Sequence, residues 1–175
     1  MKRTPSSGTS AQPLDFRDFA AARGCHLVRT AFLLTGGDAH LAEDLAQETL
    51  ARLFARWRKI SRLDNPTAYA QTVLVNTFLT HRRRRSSGEH VTSTFSEQPV
   101  HDTEPELRLA LLKALGELPV QDRTVLVLRY WEDRSVEETA AMMRLSASGV
   151  RSRAARALVK LRTALGEELE QFAEL

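Results

Sequence analysis

Cysteine is almost absent from this 175-residue sequence, where Cys25 stands alone. One thiol closes no disulfide within a chain and supplies no cysteine cluster for zinc, so a reducing cytoplasm suits the protein. Cys25 itself is expected to be a small buried hydrophobe rather than a redox sensor. Long apolar runs are missing too. No window approaches the roughly 20 apolar residues of a membrane span, so no membrane insertion is expected. Residues 1–13 are rich in Ser, Thr and Pro and lack the apolar stretch of a secretion signal; a disordered tail is expected there. The period-2 alternation of strands appears nowhere, and no fixed-period repeat is present. The histidines His26, His40, His81, His90 and His101 are scattered without metal or triad spacing, so neither an enzyme nor a metal or cofactor is expected.

Acidic residues are scarce where they matter most. Between Arg52 and Arg85 the basic residues Arg52, Arg56, Arg58, Lys59, Arg62 and Arg82 to Arg85 are opposed only by Asp64, and Arg144 to Arg162 contains no acid at all. The formal charge is a modest +3, but the pI is about 9.4 and Arg greatly outnumbers Lys, which favours phosphate and guanine partners. Two separated basic segments point to two contacts with nucleic acid.

What is present is helical periodicity in two blocks. Phe16, Phe19, Ala20, Leu27, Ala31 and Leu34 share a stripe that ends at Gly36 and Gly37. A second helix starts near Asp38 or His40 and carries Leu41, Leu45, Thr49 and Leu53, with Glu43, Asp44, Gln47 and Glu48 on its other face. Asn65 and Pro66 form an N-cap followed by proline at the first helical position, opening a helix that runs into Arg82–Arg85. Trp57, Tyr69 and Phe78 fit core positions, with base-stacking platforms as the alternative. Residues 86–105 lack periodicity and are expected to be a flexible linker. Leu107, Leu111, Ala114, Leu115 and Leu118 then resume the helical pattern, which Pro119 interrupts. The expected fold is all-α, two small helical domains joined by that linker.

The segment 135–165 is the most informative. Ser135 with Glu138 is a capping box, opening a short helix through Val136, Ala140 and Met143. A break at Arg144 to Ala147 follows, with Leu145 placed to fill the corner. A longer helix from about Ser148 has Val150, Ala154, Ala157, Leu158, Leu161 and Leu165 on one side. Short helix, tight turn and longer helix make a helix-turn-helix. The other side shows Ser148, Arg151, Ser152 and Arg156, flanked by Arg153 and Lys160, as a helix reading the major groove would. A merely solvated face would mix Glu among these arginines.

These residues also resemble a family, the extracytoplasmic-function (ECF) sigma factors of RNA polymerase, of the small actinobacterial sigma-E-like type. Leu118, Pro119, Arg123, Val125, Leu128, Arg129, Tyr130, Glu132, Ser135, Glu138 and Ala140 resemble its promoter-distal domain, and Val150–Arg153 with Arg156, Ala157, Lys160, Leu161 and Arg162 its reader of the −35 element. Ala42–Thr49 resembles its polymerase-binding helix, and Asn65, Pro66, Ala68, Tyr69, Val75, Asn76 and Arg82–Arg85 its −10 reading helix. Many members carry glycine where this chain has Arg144, and Gly-Thr where it has Ser148 and Gly149. A left-handed backbone at Arg144 would cost roughly 1 kcal/mol.

The resemblance implies a tail over 1–13, sigma region 2 over 14–85, the linker over 86–105 and region 4 over 106–170. It implies that Asp44, Gln47, Glu48 and Arg52 dock on core RNA polymerase. Arg58, Lys59, Arg62, Asn65, Asn76, Arg82 and Arg83 would hold the −10 promoter DNA, with the loop 60–65 setting specificity. Ser148, Arg151, Ser152, Arg153, Arg156 and Lys160 would read the −35 element. The linker acids Glu89, Glu97, Asp102 and Glu104 would mimic nucleic-acid charge in the polymerase cleft, and an anti-sigma factor is a further partner the family admits. The alternative is a helix-turn-helix regulator that binds a two-fold operator without polymerase.

Overall fold

A computed structural model describes residues 15–86 and 105–173 of the chain. The expected tail and nearly all of the expected linker, with its four acids, lie outside the described residues. All regular structure among the described residues is helical, in two blocks.

In the first block, α1 (Phe16–Thr35) begins at Asp15 and ends at Gly36, whose φ of 73° is the left-handed conformation that lets the Gly37 amide turn back to Phe32 O at 2.9 Å. Asp38 caps α2 (Ala39–Ala55) by accepting from the Leu41 amide at 3.0 Å. A single turn, α3 (Trp57–Ile60), leads to the loop before α4 (Pro66–Ser86), where Asn65 Oδ1 accepts from the Ala68 amide at 2.9 Å. The stripes read from the sequence converge: Leu27, Leu34, Leu45, Leu53 and Phe78 are each buried almost completely, and Leu74 of α4, outside those stripes, joins them. Cys25 departs from expectation. It is exposed, on the face of α1 opposite Leu27, Ala31 and Leu34.

In the second block, α5 (Pro105–Glu117) and α6 (Val120–Leu126) join at Pro119, and one wide turn with π-type bonding, Val127–Trp131, follows α6 without a break. The Arg123 guanidinium caps α5, donating to Leu115 O at 3.1 Å and Gly116 O at 3.0 Å. The capping box forms at α7 (Val136–Met143): Ser135 Oγ accepts from the Glu138 amide at 3.0 Å while Glu138 accepts from the Ser135 amide at 2.7 Å. The latter bond holds the Glu138 carboxyl below its ordinary range. The final helix, α8 (Ala147–Ala173), packs Ala157 against Leu115, Leu118 and Leu126.

The two blocks touch. Val125, Val127, Leu128, Ala140, Met143, Val150 and Ala154 belong to the same buried cluster as Phe19, Leu27, Leu74 and Phe78. One apolar core therefore runs through both halves of the chain.

Arg144 takes the left-handed conformation, with φ 55° and ψ 45°, where a Cβ is disfavoured. Its side chain is exposed. Arg144→Gly is therefore expected to raise the unfolding free energy by about 1 kcal/mol, read from urea denaturation.

Candidate nucleic-acid interface

The helix expected from about Ser148 starts one residue earlier, at Ala147, and Ser146 caps it: its Oγ accepts from the Gly149 amide at 3.0 Å and lies 3.1 Å from Ser148 Oγ. Burial of Val150, Ala154 and Ala157 fixes the rotation of α8, and Ser148, Arg151, Ser152, Arg156 and Lys160 project from the opposite side. Arg151 meets Glu137 of α7 at 3.4 Å, an exposed pair that contributes little stability and is free to exchange for another acceptor. Arg153 is differently placed. Its guanidinium lies 2.9 Å from Asp122, whose side chain is 7% exposed, so it braces α8 against α6. Val159, 61% exposed, shares the face of Ser152 and Arg156 at helical spacing and offers an apolar contact of the kind a thymine methyl takes.

The second basic segment borders an open cleft of about 1160 Å³ lined by Phe16, Phe54, Trp57, Arg58, Lys59, Arg62 and Tyr69. Its rings interlock: Phe16 lies 5.1 Å from Phe54 and 5.3 Å from Trp57, and Phe19 lies 4.8 Å from Trp57. Cations beside half-covered aromatics suit an unstacked base and its phosphates. Asn65, at the head of α4, is exposed but uses its amide oxygen as the cap. Asn76, Arg82 and Arg83 are exposed farther along α4, about 17 Å to 27 Å from Asn65 by helical rise, so they suit flanking backbone rather than the cleft. Phe78 is fully buried, which removes it from the stacking candidates.

On α2, Asp44, Gln47, Glu48 and Arg52 are all exposed, with Arg52 bonded to Glu48 at 2.6 Å. His81 of α4 feels this face. Burial, then Arg85 and Arg82, lower its pKa from the ordinary 6.5, while Glu48 and Asp44 oppose the shift.

Residues 25–88 match the family described as Sigma-70 region 2, and residues 108–161 match Sigma-70, region 4. The chain is 38% identical over 154 residues to the RNA polymerase sigma-E factor of Streptomyces coelicolor, covering 87% of this chain and 86% of that one. It is 29% identical over 180 residues to the ECF RNA polymerase sigma factor SigE of Mycolicibacterium smegmatis, covering 97% and 68%. This chain belongs to the ECF sigma factors.

Among solved structures, this sigma factor is similar to the sigma factor RpoE in complex with the anti-sigma factor NepR from Bartonella quintana. The TM-score is 0.75 at 26% identity, over 87% of this chain and 97% of that one. No helix among the described residues is long and apolar enough to cross a membrane.

Sequence reasoning missed several residues of these surfaces, Val159 and the capping Ser146 among them. Phe16 was legible only as part of a hydrophobic stripe, and the signal for Phe54 was its i, i+3 spacing from Trp57 beside three cations. Asp122, the brace for Arg153, lies 31 residues away along the chain and left no local signal.

Proposed function

We propose that this sigma factor binds core RNA polymerase in the cytoplasm and directs promoter-specific initiation, region 2 (14–85) opening the −10 element and region 4 (106–170) reading the −35 element. The observation that carries this is the pairing of two unlike basic surfaces in one chain: a capped helix whose exposed face is cationic, and a cleft where Arg58, Lys59 and Arg62 border aromatic rings. The first suits base edges in a duplex groove, the second an extruded base with its phosphates. In the −35 reader, Arg151, Ser152 and Arg156 contact bases, Ser148 and Lys160 contact phosphates, and Arg153 positions the helix. In the −10 reader, Arg58, Lys59, Arg62 and Asn65 hold the melted strand, while Asn76, Arg82 and Arg83 hold flanking backbone. Asp44, Gln47, Glu48 and Arg52 dock on the polymerase.

An anti-sigma factor is a further proposed partner, supported by the likeness to RpoE held by NepR. An apolar cleft of about 330 Å³ between Phe32, Leu33, Ala42, Leu111, Leu112 and Trp131 is a place for it.

Run-off transcription with purified core polymerase on fragmented bacterial DNA tests the function. Discrete transcripts that need this protein, with two unlike elements upstream of each start, are expected. Salt-sensitive binding to a palindrome without polymerase, and no transcripts, would overturn the reading in favour of a free-standing regulator. The double variant Asp44→Ala with Gln47→Ala is expected to weaken core binding at least tenfold, roughly 1.4 kcal/mol, in a fluorescence titration, with helicity unchanged.

A further inference from the structure

Glu132 follows the wide turn after α6, yet its carboxylate is satisfied by the other half of the molecule. The side chain is 2% exposed, and both oxygens lie 3.0 Å from His26 Nε2. Thr30 Oγ1 and Gln71 Nε2 also donate to it. All three donors stand on α1 and α4. The neighbouring Trp131 indole donates to Thr30 Oγ1 at 3.2 Å, and its ring stacks on His26 at 6.1 Å. Gln71 completes the knot, its Oε1 accepting from Arg134, which also reaches Glu138 at 3.2 Å.

The same boundary carries opposing features. The chain is packed so closely at Gly36 that a Cβ there would meet Gly116 Cα at 2.8 Å and Arg123 Nη1 at 2.6 Å. Arg123 holds its charge at a cost, its pKa lowered to about 10 by burial and then by Arg82 across the boundary. A carboxylate knot thus ties together surfaces that bring like charges near one another.

The closed arrangement sits badly with promoter reading, and here the inference rests on the function proposed above. The two elements lie about two helical turns apart, roughly 70 Å. With both halves sharing one core, the molecule is a single compact body, for which a chain of this length has a radius of gyration of about 16 Å, so the two readers fall well short of that distance. Yet both cationic surfaces stay exposed in the closed form, so closure sets their spacing rather than covering them.

We infer that the knot of Glu132 with His26, Thr30 and Gln71 is a latch that holds the free sigma factor closed, and that docking on polymerase must break it. The latch belongs to the chain itself and acts with no second protein bound. Its donors lie on region 2, the half that carries the proposed polymerase face, so docking and release share one set of helices.

Distance measurement on the full-length free protein tests this. Spin labels go on the native Cys25 of α1 and on Ala155→Cys of α8, both exposed positions. The otherwise unaltered chain is expected to give one short, narrow distance distribution. Gln71→Glu sets a second carboxylate against Glu132 and is expected to raise the open-to-closed ratio at least ~10-fold, giving a long, broad distribution. Adding Glu132→Gln exchanges the two side chains, restores an amide-to-carboxylate bond, leaves Arg134 facing an acid, and is expected to bring back the narrow distribution. That rescue separates a latch from simple misfolding. The opened single variant should also bind core polymerase several-fold more tightly, because less of it is locked in the incompetent state. A broad distribution in the unaltered chain, an unchanged distance in Gln71→Glu with native helicity, or no rescue in the double variant would each overturn the inference. The distances are read without polymerase or DNA, so a failed run-off assay and a failed latch are distinguishable.

Discussion

Replacing Phe78 by alanine is expected to lower the unfolding free energy by about 3–5 kcal/mol, a large share of the 5–15 kcal/mol typical of a whole domain. Phe78 is fully buried in α4 within the cluster that includes Leu27, Leu45, Leu53 and Leu74. The packed core around it cannot collapse fully into the space a lost ring leaves. Urea denaturation followed by circular dichroism checks the value. Because the cluster continues into Val125, Leu128 and Val150, the loss should be felt by both halves in a single shifted transition. Phe78→Leu should cost far less, and a loss under about 1 kcal/mol for the alanine variant would mean that α4 is not seated as described.

Arg156→Ala and Arg151→Ala are expected to cost about 1–3 kcal/mol each, and only at particular −35 base pairs, because a bidentate pair with guanine is lost while phosphate contacts remain. The measurement is holoenzyme binding to promoters substituted one base pair at a time. Arg84→Ala should weaken every template by a similar factor, as a phosphate contact does. Equal losses on all templates for Arg151→Ala would remove base reading from it. Arg153→Ala should behave unlike either, lowering stability by leaving the buried Asp122 without its partner. Binding and denaturation together thus separate residues that read from the residue that positions.

Local chemistry carried the helix starts into the sequence. Asp38, Asn65 with Pro66, and Ser135 with Glu138 each satisfy amides within a few residues, so the pattern alone suffices. The exposed cations of α8 were legible for the same reason, since Val150, Ala154 and Ala157 fix the buried side by spacing. The start of α8 was legible to within a residue, but its cap was not, because Ser146 and Ser148 are equivalent by composition and only Ser146 meets the Gly149 amide. Cys25 was expected inside on the habit of its residue type, although it falls opposite the Leu27 stripe. Arg153 looked like its neighbours because its partner comes from another helix. Nothing local marks Glu132, His26 and Gln71 as partners either, because the covering of the Glu132 carboxylate and of Gln71 depends on a surface supplied from the far half of the chain.

The wide turn at Val127–Trp131 is one residue longer than ordinary helical bonding requires, the Glu132 amide reaching back five residues to Val127 O at 3.0 Å. Removing one codon there would let α6 run on regularly and turn everything beyond it by about 100°. Trp131 and Glu132 would then swing off α1 and α4, while the cap of α8 and the basic cleft, built elsewhere, would keep their parts. How far apart the two basic surfaces rest is in this way separable from what each is built to bind, and a lineage could reset it by insertion or deletion without altering a residue of either surface.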